Sequence, residues 1–557
     1  MRLSTILFAA FRFLLLPATI ATVLLYLYPA VQNCSFPTPP PAKTETSPIS
    51  SHGQQDHAHP PSRIAPLRLL ALGDPQLEGD TSLPDPDAPA FPSFVGLSAR
   101  LAAQHPGVAF TTIKKTFESV GANDIPQLVS KYRKILDLWG NDLYLAHIHR
   151  LVSWWTQPTH TVVLGDLLGS QWITDDEFER RSVRLWGHVF KGMDRVDDDI
   201  MEYKSGLGDQ HSDDEEADAV PLLPRGEIIT SEEYKAWETR LIAVAGNHDI
   251  GYAGDINTQR AERFERKFGR LNWRLRFELP INESMRDVHD TAATSLAPPP
   301  PPPTIDLIIL NDMNLDGPAW DRKLQQESRD FLDQAIAVEQ AHGRQEDATI
   351  LLTHIPLFKR AGLCVDSPFF DYFPDDQGGG IREQNQLSPE TSERILNGLF
   401  GAEHKAGLIL NGHDHEGCDV YHDTHLQTSQ IEDGGGGDGG GGGGWNHSQY
   451  PHSREARGDE QRQGVREITV RSMMGSYGGN AGLLSAWFDD HEGVWKFEYE
   501  ECRLGIQHIW WAVHVLDLIV ILLPLASLGA FALETTNEQQ KRRTLARTPV
   551  SISSKQK

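Results

Sequence analysis

The sequence predicts an α/β fold in which two mixed β-sheets are flanked by helices, with one membrane-spanning helix at each end. Three observations predict it. Five short apolar, β-branched runs each stop at residues of metal-ligand type: "LRLLALGD", "HTVVLGD", "RLIAVAGNHD", "ATILLTHIP" and "AGLILNGHDH". Helical periodicity separates the first of these runs from the second. Long uncharged apolar segments lie near both termini.

Taken in order, Phe13 to Val31 carries no charge and follows Arg2 and Arg12. It is long for a signal-peptide core and shows no small-residue cleavage site, so residues 1–32 read as an anchor. Residues 33–66 form a Pro/Ser/His-rich linker in which His52, Asp56, His57 and His59 have no strand or turn to fix them. The expected globular domain spans 67–505. After its first strand, "IPQLVSKYRKILDLWGNDLYLAHIHRLVSWW" has apolar residues at helical spacing, with a break expected near Gly140. Disordered inserts are expected near 193–225 (acidic), 283–304 (polyproline) and 431–465 (glycine-rich). The glycine run lacks a P-loop lysine. "REITVRSMMG", "AGLLSAWFDD" and "VWKFEYEE" read as successive antiparallel strands completing the second sheet, with Tyr477 and Asn480 of the intervening "GSYGGN" beside the cleft. A second span over 508–533 and a basic tail over 534–557 close the chain. Lys541, Arg542, Arg543 and Arg547 at one end and Arg2 and Arg12 at the other put both termini in the cytosol and the domain in a lumen. Asp517 and His514 read as a polar lumenal end of the second span.

The residues at the strand ends have the chemistry of a two-cation site. Such a site needs a bridging carboxylate, terminal imidazoles, and amide or carboxylate oxygens that suit manganese, iron or zinc. Two cations of this kind clamp the oxygens of a phosphate ester. Asp166 is the expected bridge, Asp74 and His415 serve one metal, and Asn247, His354 and His413 serve the other. Gly165, Gly246 and Gly412 precede ligands, where the backbone must pass close.

These motifs resemble the calcineurin-like metallophosphoesterase superfamily over about Leu67 to Cys502. The resemblance implies an α+β sandwich, two divalent ions (manganese first, with iron or zinc as alternatives), and His248 as the acid that protonates the leaving alkoxide. Asp249 is expected to orient that imidazole. Gln76 departs from the superfamily's histidine in the first motif. "GDPQLEGD", "VVLGDLLGSQWITDDEFERR", "NGHDHEGCD" and "RSMMGSYGGNAGLLSAWF" are more specifically similar to the fungal branch of the membrane-bound metallophosphoesterase 1 and cell-division-control-protein group, whose first motif carries Gln. That resemblance implies a phosphodiesterase of the endoplasmic reticulum membrane, or early Golgi. It would remove ethanolamine phosphate from a mannose of glycosylphosphatidylinositol (GPI) anchors, the second mannose favoured by "GDLLGSQW". Its partners would be GPI-anchored proteins or their glycans and export cargo receptors. The alternatives are a lumenal phosphoesterase on another substrate, such as a nucleotide, and a non-catalytic adaptor for GPI-protein export.

Composition agrees with a lumenal enzyme. With 77 acidic against 51 basic residues and no basic stripe, nucleic-acid binding is excluded. Cys364 and Cys418 follow loops that must converge on the metals, so they are expected to pair. Cys34 and Cys502, each beside a span, are candidates for a second pair, with free buried thiols as the alternative. Sequons occur at Asn33, Asn282 and Asn446, the last two in or beside inserts where glycans have access.

Overall fold

The structure, a computed structural model, describes residues 2–40, 64–83, 89–202, 226–229, 233–279, 301–401, 405–424, 444–451 and 464–547. The His52–His59 stretch, Asn282, most of the acidic and polyproline inserts, and the glycine run lie outside the described residues. The chain divides into two compact units, Met1–Gln32 with Gly505–Lys557, and Asn33–Leu504.

In the smaller unit the helices Leu3–Tyr26 and Gln507–Arg547 are each long and apolar enough to cross a membrane. The first begins ten residues ahead of the charge-free run and takes in Arg12. It gives way at Leu27 to a short turn, Tyr28–Val31, that holds Pro29 where its missing amide costs nothing. The two helices run antiparallel. The Thr22 hydroxyl donates to the Asp517 carboxylate (2.9 Å), and Ser4 Oγ donates to Glu534 (2.7 Å). Asp517 therefore has a partner on the other helix. His514 bonds the Trp510 carbonyl of its own helix (2.8 Å).

The larger unit contains sixteen strands among the described residues: β1 (Leu67–Leu72), β2 (His160–Leu164), β3 (Asp194–Arg195), β4 (Gly226–Ile228), β5 (Arg240–Val244), β6 (Trp273–Glu278), β7 (Thr304–Ile309), β8 (Ala348–Leu352), β9 (Phe370–Tyr372), β10 (Ile381–Gln384), β11 (Ala406–Asn411), β12 (Cys418–Asp423), β13 (Asn446–Gln449), β14 (Gly464–Thr469), β15 (Asn480–Asp489) and β16 (Val494–Arg503). One sheet has the order β16-β15-β1-β2-β5-β3, the other β13-β12-β14-β11-β8-β7-β6-β4, and β9 and β10 form a separate hairpin. Both large sheets are mixed. β1, β2 and β5 are mutually parallel (Leu70 beside Thr161, Val162 beside Ile242), as are β7, β8 and β11 (Ile305 beside Ala348, Leu408 beside Ile350).

Period-two alternation builds the core. Leu67, Leu69 and Ala71 of β1, Val162 and Leu164 of β2, and Ile242 and Val244 of β5 face Trp273, Leu275 and Phe277 of β6, Ile305, Leu307 and Ile309 of β7, and Leu352 and Leu410. Each large side chain so buried contributes about 1.5–3 kcal/mol. The intervening residues of these strands are buried as well, which explains why the runs read as continuously apolar.

Four expectations need correction. Helix Ile125–Thr156 runs through Gly140 without a break, because Leu138, Gly140, Asp142 and Tyr144 are buried and packing outweighs the roughly 1 kcal/mol glycine cost. The start of the acidic insert is ordered: β3 extends the first sheet beside β5. Part of the 431–465 insert is β13, paired with β12, so Asn446 sits on a strand opposite Asp423. Finally, the three C-terminal strands do not share a sheet. β14 lies parallel to β11, whereas β15 pairs antiparallel with β1 in the first sheet, and the turn Gly475–Tyr477 carries the chain across.

Candidate metal centre

The parallel strands of both sheets deliver their carboxyl ends to one edge of the sandwich. β1 runs into Asp74, β2 into Asp166, β5 into Asn247 and His248, β8 into His354, and β11 into His413 and His415. Asp74, Asp166 and His413 turn there with φ of 45°, 51° and 72°, left-handed values that non-glycine residues rarely adopt. A Cβ on Gly165 (φ 95°) would overlap the His354 ring, and one on Gly246 would overlap Asp166. These glycines are required by close approach.

The side chains converge as two overlapping groups that share Asp166. Asp74, Asp166 and His415 offer ligand atoms that all lie within 4.8 Å of one another. Gln76 joins them, its Nε2 donating to Asp166 Oδ2 at 3.0 Å and facing His415 Nε2 at 3.1 Å. With the amide turned this way its oxygen faces elsewhere, and presenting that oxygen to a cation requires the flipped amide. In the second group Asn247 Oδ1 lies 3.0 Å from His354 Nε2 and 3.1 Å from His413 Nδ1, and His354 Nε2 is 3.5 Å from Asp166 Oδ1. The outer nitrogens are held by carbonyls: His354 Nδ1 by Leu164 (2.7 Å), His413 Nε2 by Gln384 (2.9 Å). Such bonds fix the ring orientation of ligating histidines.

The electrostatics fit divalent cations. Asp74 Oδ2 is buried with no hydrogen-bond partner among the described residues. Burial, and then the neighbouring Asp166 carboxylate, push the Asp74 carboxyl well above its ordinary range. Burial holds His354 and His415 below theirs, and burial and His354 take His413 down to about 3, so burial favours the neutral form of each imidazole. Neutral imidazoles and two crowded carboxylates are what a divalent cation would bind and relieve.

His248 stands at the edge of this group, partly exposed, its amide donating to Asp166 Oδ1 (2.8 Å) and its Nε2 3.8 Å from Asp166 Oδ2. Asp249 does not orient it. Both Asp249 oxygens accept backbone amides, from Leu167 (3.2 Å), Leu168 (2.9 Å) and Gly246 (3.0 Å), and His248 Nδ1 has no partner among the described residues. On the four-residue turn Asn247–Ile250 the carboxylate points inward and ties the β2 and β5 loops together.

Two further carboxylates were invisible in the sequence pattern. Asp312, just after β7, accepts the His354 and Ile355 amides (3.3 and 2.9 Å). Glu467 of β14 accepts from the Leu357 amide (2.8 Å), Lys359 Nζ (3.0 Å), Asn411 Nδ2 (2.7 Å) and His422 Nε2 (2.7 Å), joining the His354 loop to the His413 loop. Their one sequence signal is a charged residue inside or at the end of an apolar run.

The converging side chains open onto a cleft of about 560 Å³ whose walls include Gln171, Trp172, Tyr252, Asp366, Glu383, Glu416 and Tyr477. Tyr477 lies edge-on to His415 (4.8 Å), but Asn480 is buried, its amide spent on the Ser472 and Tyr477 carbonyls. Two disulfides flank the domain's loops and ends: Cys364–Cys418 (Cα–Cα 5.6 Å) and Cys34–Cys502 (5.1 Å).

The chain is 32% identical to Protein TED1 of Saccharomyces cerevisiae over 419 residues, 70% of this chain and 77% of that protein. It is 25% identical to an uncharacterized protein of Schizosaccharomyces pombe over 451 residues, 78% of this chain and 91% of the relative. Over a third of its length (33%) it is 27% identical to metallophosphoesterase 1 of Macaca fascicularis and of Xenopus laevis, and there it spans 41% and 43% of those proteins. No family profile matches. With strand-end ligand chemistry, two helices able to cross a membrane and this coverage of its yeast relative, the chain belongs to the membrane-associated metallophosphoesterase group that includes Protein TED1 and metallophosphoesterase 1.

Proposed function

We propose that this phosphoesterase works in the endoplasmic reticulum lumen, removing ethanolamine phosphate from a mannose of GPI anchors, the second mannose in particular, and so supports export of GPI proteins. The observation that carries the reading is the Asp74, Asp166 and His415 group, with Asn247, His354 and His413 beside it, opening onto a polar cleft. The substrate class rests on the resemblance of the longer motifs. It is supported by the cleft wall, because Gln171 and Trp172 of "GDLLGSQW" line it. Trp172 is exposed, with Nε1 anchored on Asp255 (2.9 Å), a rigid aromatic face of the kind on which sugars stack. Among the described residues, Asp366, Glu383, Asp414 and Glu416 make that wall acidic against the one lining cation Arg382. An acidic wall suits the ammonium of ethanolamine and disfavours a polyanionic nucleotide.

When bound, divalent cations would supply the positive charge that activates water and neutralises the phosphate oxygens. Asp74, Gln76, Asp166 and His415 would hold one, and Asp166, Asn247, His354 and His413 the other. Neutral His354, His413 and His415 spend no proton to serve as ligands. His248, with its ring partly exposed at the cleft, donates the proton to the departing sugar oxygen, which leaves as the hydroxyl, as general acid. Asp249 positions the loops and takes no part in that transfer.

The test is mass spectrometry of GPI glycans from cells lacking the protein, complemented with wild type or Asp166→Asn. Loss of one ethanolamine phosphate restored by wild type alone supports the reading. Equal rescue by both chains points to the adaptor role, and unchanged glycans in every strain point to another phosphoester.

A further inference from the structure

Five apolar side chains run down one face of the helix Ile125–Thr156: Ile125, Val129, Tyr132, Leu136 and Trp139. Spacings of four and three residues stack side chains along a single face. Nothing in the described domain covers them, since their exposure runs from 48% at Ile125 to 61% at Val129 and Tyr132. The opposite face carries Gln127, Ser130, Lys134 and Asp137, with Lys134 paired to Glu78 at 3.0 Å. Phe110 and Phe117 of the preceding helix Pro106–Ser119 are exposed too, at 73% and 61%. Soluble surfaces rarely show so continuous an apolar patch unless something binds it.

The covalent structure of the chain identifies the occupant. The C-terminal end of this helix is fastened to the domain's point of attachment, where Trp155 Nε1 donates to the Cys34 carbonyl (3.0 Å) and Cys34 is bonded to Cys502. In sequence, Cys34 follows the first apolar helix closely and Cys502 closely precedes the second. The chain therefore joins the domain to both terminal helices at this end of the helix. Tyr and Trp on the apolar face, with the exposed Arg133 in the same turn, are the residue types that settle at the boundary between acyl chains and phosphate headgroups.

We propose that the Ile125–Trp139 face docks on the lipid bilayer in which the chain is anchored, as an interfacial amphipathic segment. The inference needs the terminal helices to cross a membrane and does not depend on the reaction catalysed. All four native cysteines are in disulfides, so an introduced cysteine is the single free thiol. The full chain carrying Leu136→Cys, or Gln127→Cys on the opposite face, is labelled with an environment-sensitive fluorophore. Each is reconstituted at about one copy per vesicle in phosphatidylcholine with or without brominated acyl chains. Docking predicts severalfold stronger bromine quenching at position 136 than at 127. Equal, weak quenching at both positions overturns the proposal. So does a 136 signal that changes only as the protein-to-lipid ratio rises, which would assign the face to a second copy. Non-reduced peptide mapping checks both disulfides first; Val129→Cys replaces Leu136→Cys on the apolar face, and Ser130→Cys replaces Gln127→Cys on the opposite face, where either fails it.

Discussion

Asp166 is asked to do three things with one buried carboxylate: accept the His248 amide, accept the Gln76 amide, and face the His354 ring. Removing its charge should therefore empty the centre. Asp166→Asn is expected to lose bound metal, read by elemental analysis, together with hydrolysis of a generic phosphodiester. His248→Ala separates the two properties: metal content stays near wild type while turnover falls by about 10²–10⁴. Metal lost along with turnover would make His248 a ligand instead. Glu467 gives a prediction in pH. Burial by itself would raise its carboxyl, but the Lys359 ammonium and the His422 imidazole outweigh that and hold it at about 2, below the ordinary 4.5. The folded state thus gains stability that is complete above pH 4.5 and disappears as pH falls through about 2. Acid unfolding followed by tryptophan fluorescence should be steep in that window for wild type and flatter for Glu467→Gln. The residues that converge at the strand ends were legible in sequence because few other demands put Asp, Asn and His together after apolar strands. Asp312 and Glu467 were not, because a carboxylate that accepts backbone amides looks like any charge in a strand. Asp249 was misread because adjacency to His248 in sequence says nothing about direction on a tight turn.

At the scale of elements, the second sheet contains an ion triad laid across two strands. Asp306 of β7 bonds Arg274 Nη2 (2.7 Å) and Arg276 (2.9 and 2.7 Å) of β6, all buried. Asp306→Asn leaves two buried guanidiniums against a neutral amide, and is expected to cost about 3–5 kcal/mol, measured by denaturant unfolding in detergent. The strand-end glycines act on the same scale. Gly246→Ala would drive a methyl into Asp166, so metal affinity should drop while strand content, by circular dichroism, stays intact. Strand existence was legible wherever β-branched runs were bounded by turns, as in β2, β5 and β8. Sheet membership was not. Nothing local in "AGLLSAWFDD" records that β15 pairs with β1, some four hundred residues earlier, because that partner is chosen by the crossing turn and the shared core. Gly140 shows the converse, a local breaker overruled by the burial of its neighbours.

For the whole molecule, the Cys34–Cys502 bond closes almost the entire larger unit, with a sequence separation of 468 residues. Replacing both cysteines by alanine should lower stability by about 2–5 kcal/mol, seen as a lower midpoint in thermal unfolding of the otherwise oxidised chain. The bond also decides how the molecule carries mechanical load. Its two sulfurs join the chain just inside both ends of the domain, so tension applied between the two terminal helices passes from Cys34 to Cys502 through one covalent link. The strand β1, the part of β16 that precedes Cys502, and the loops between them lie off that path. Thickness changes or lateral drag in a membrane crossed by those helices would pull on the bridge and leave the spacing of Asp74, Asp166 and His415 undisturbed.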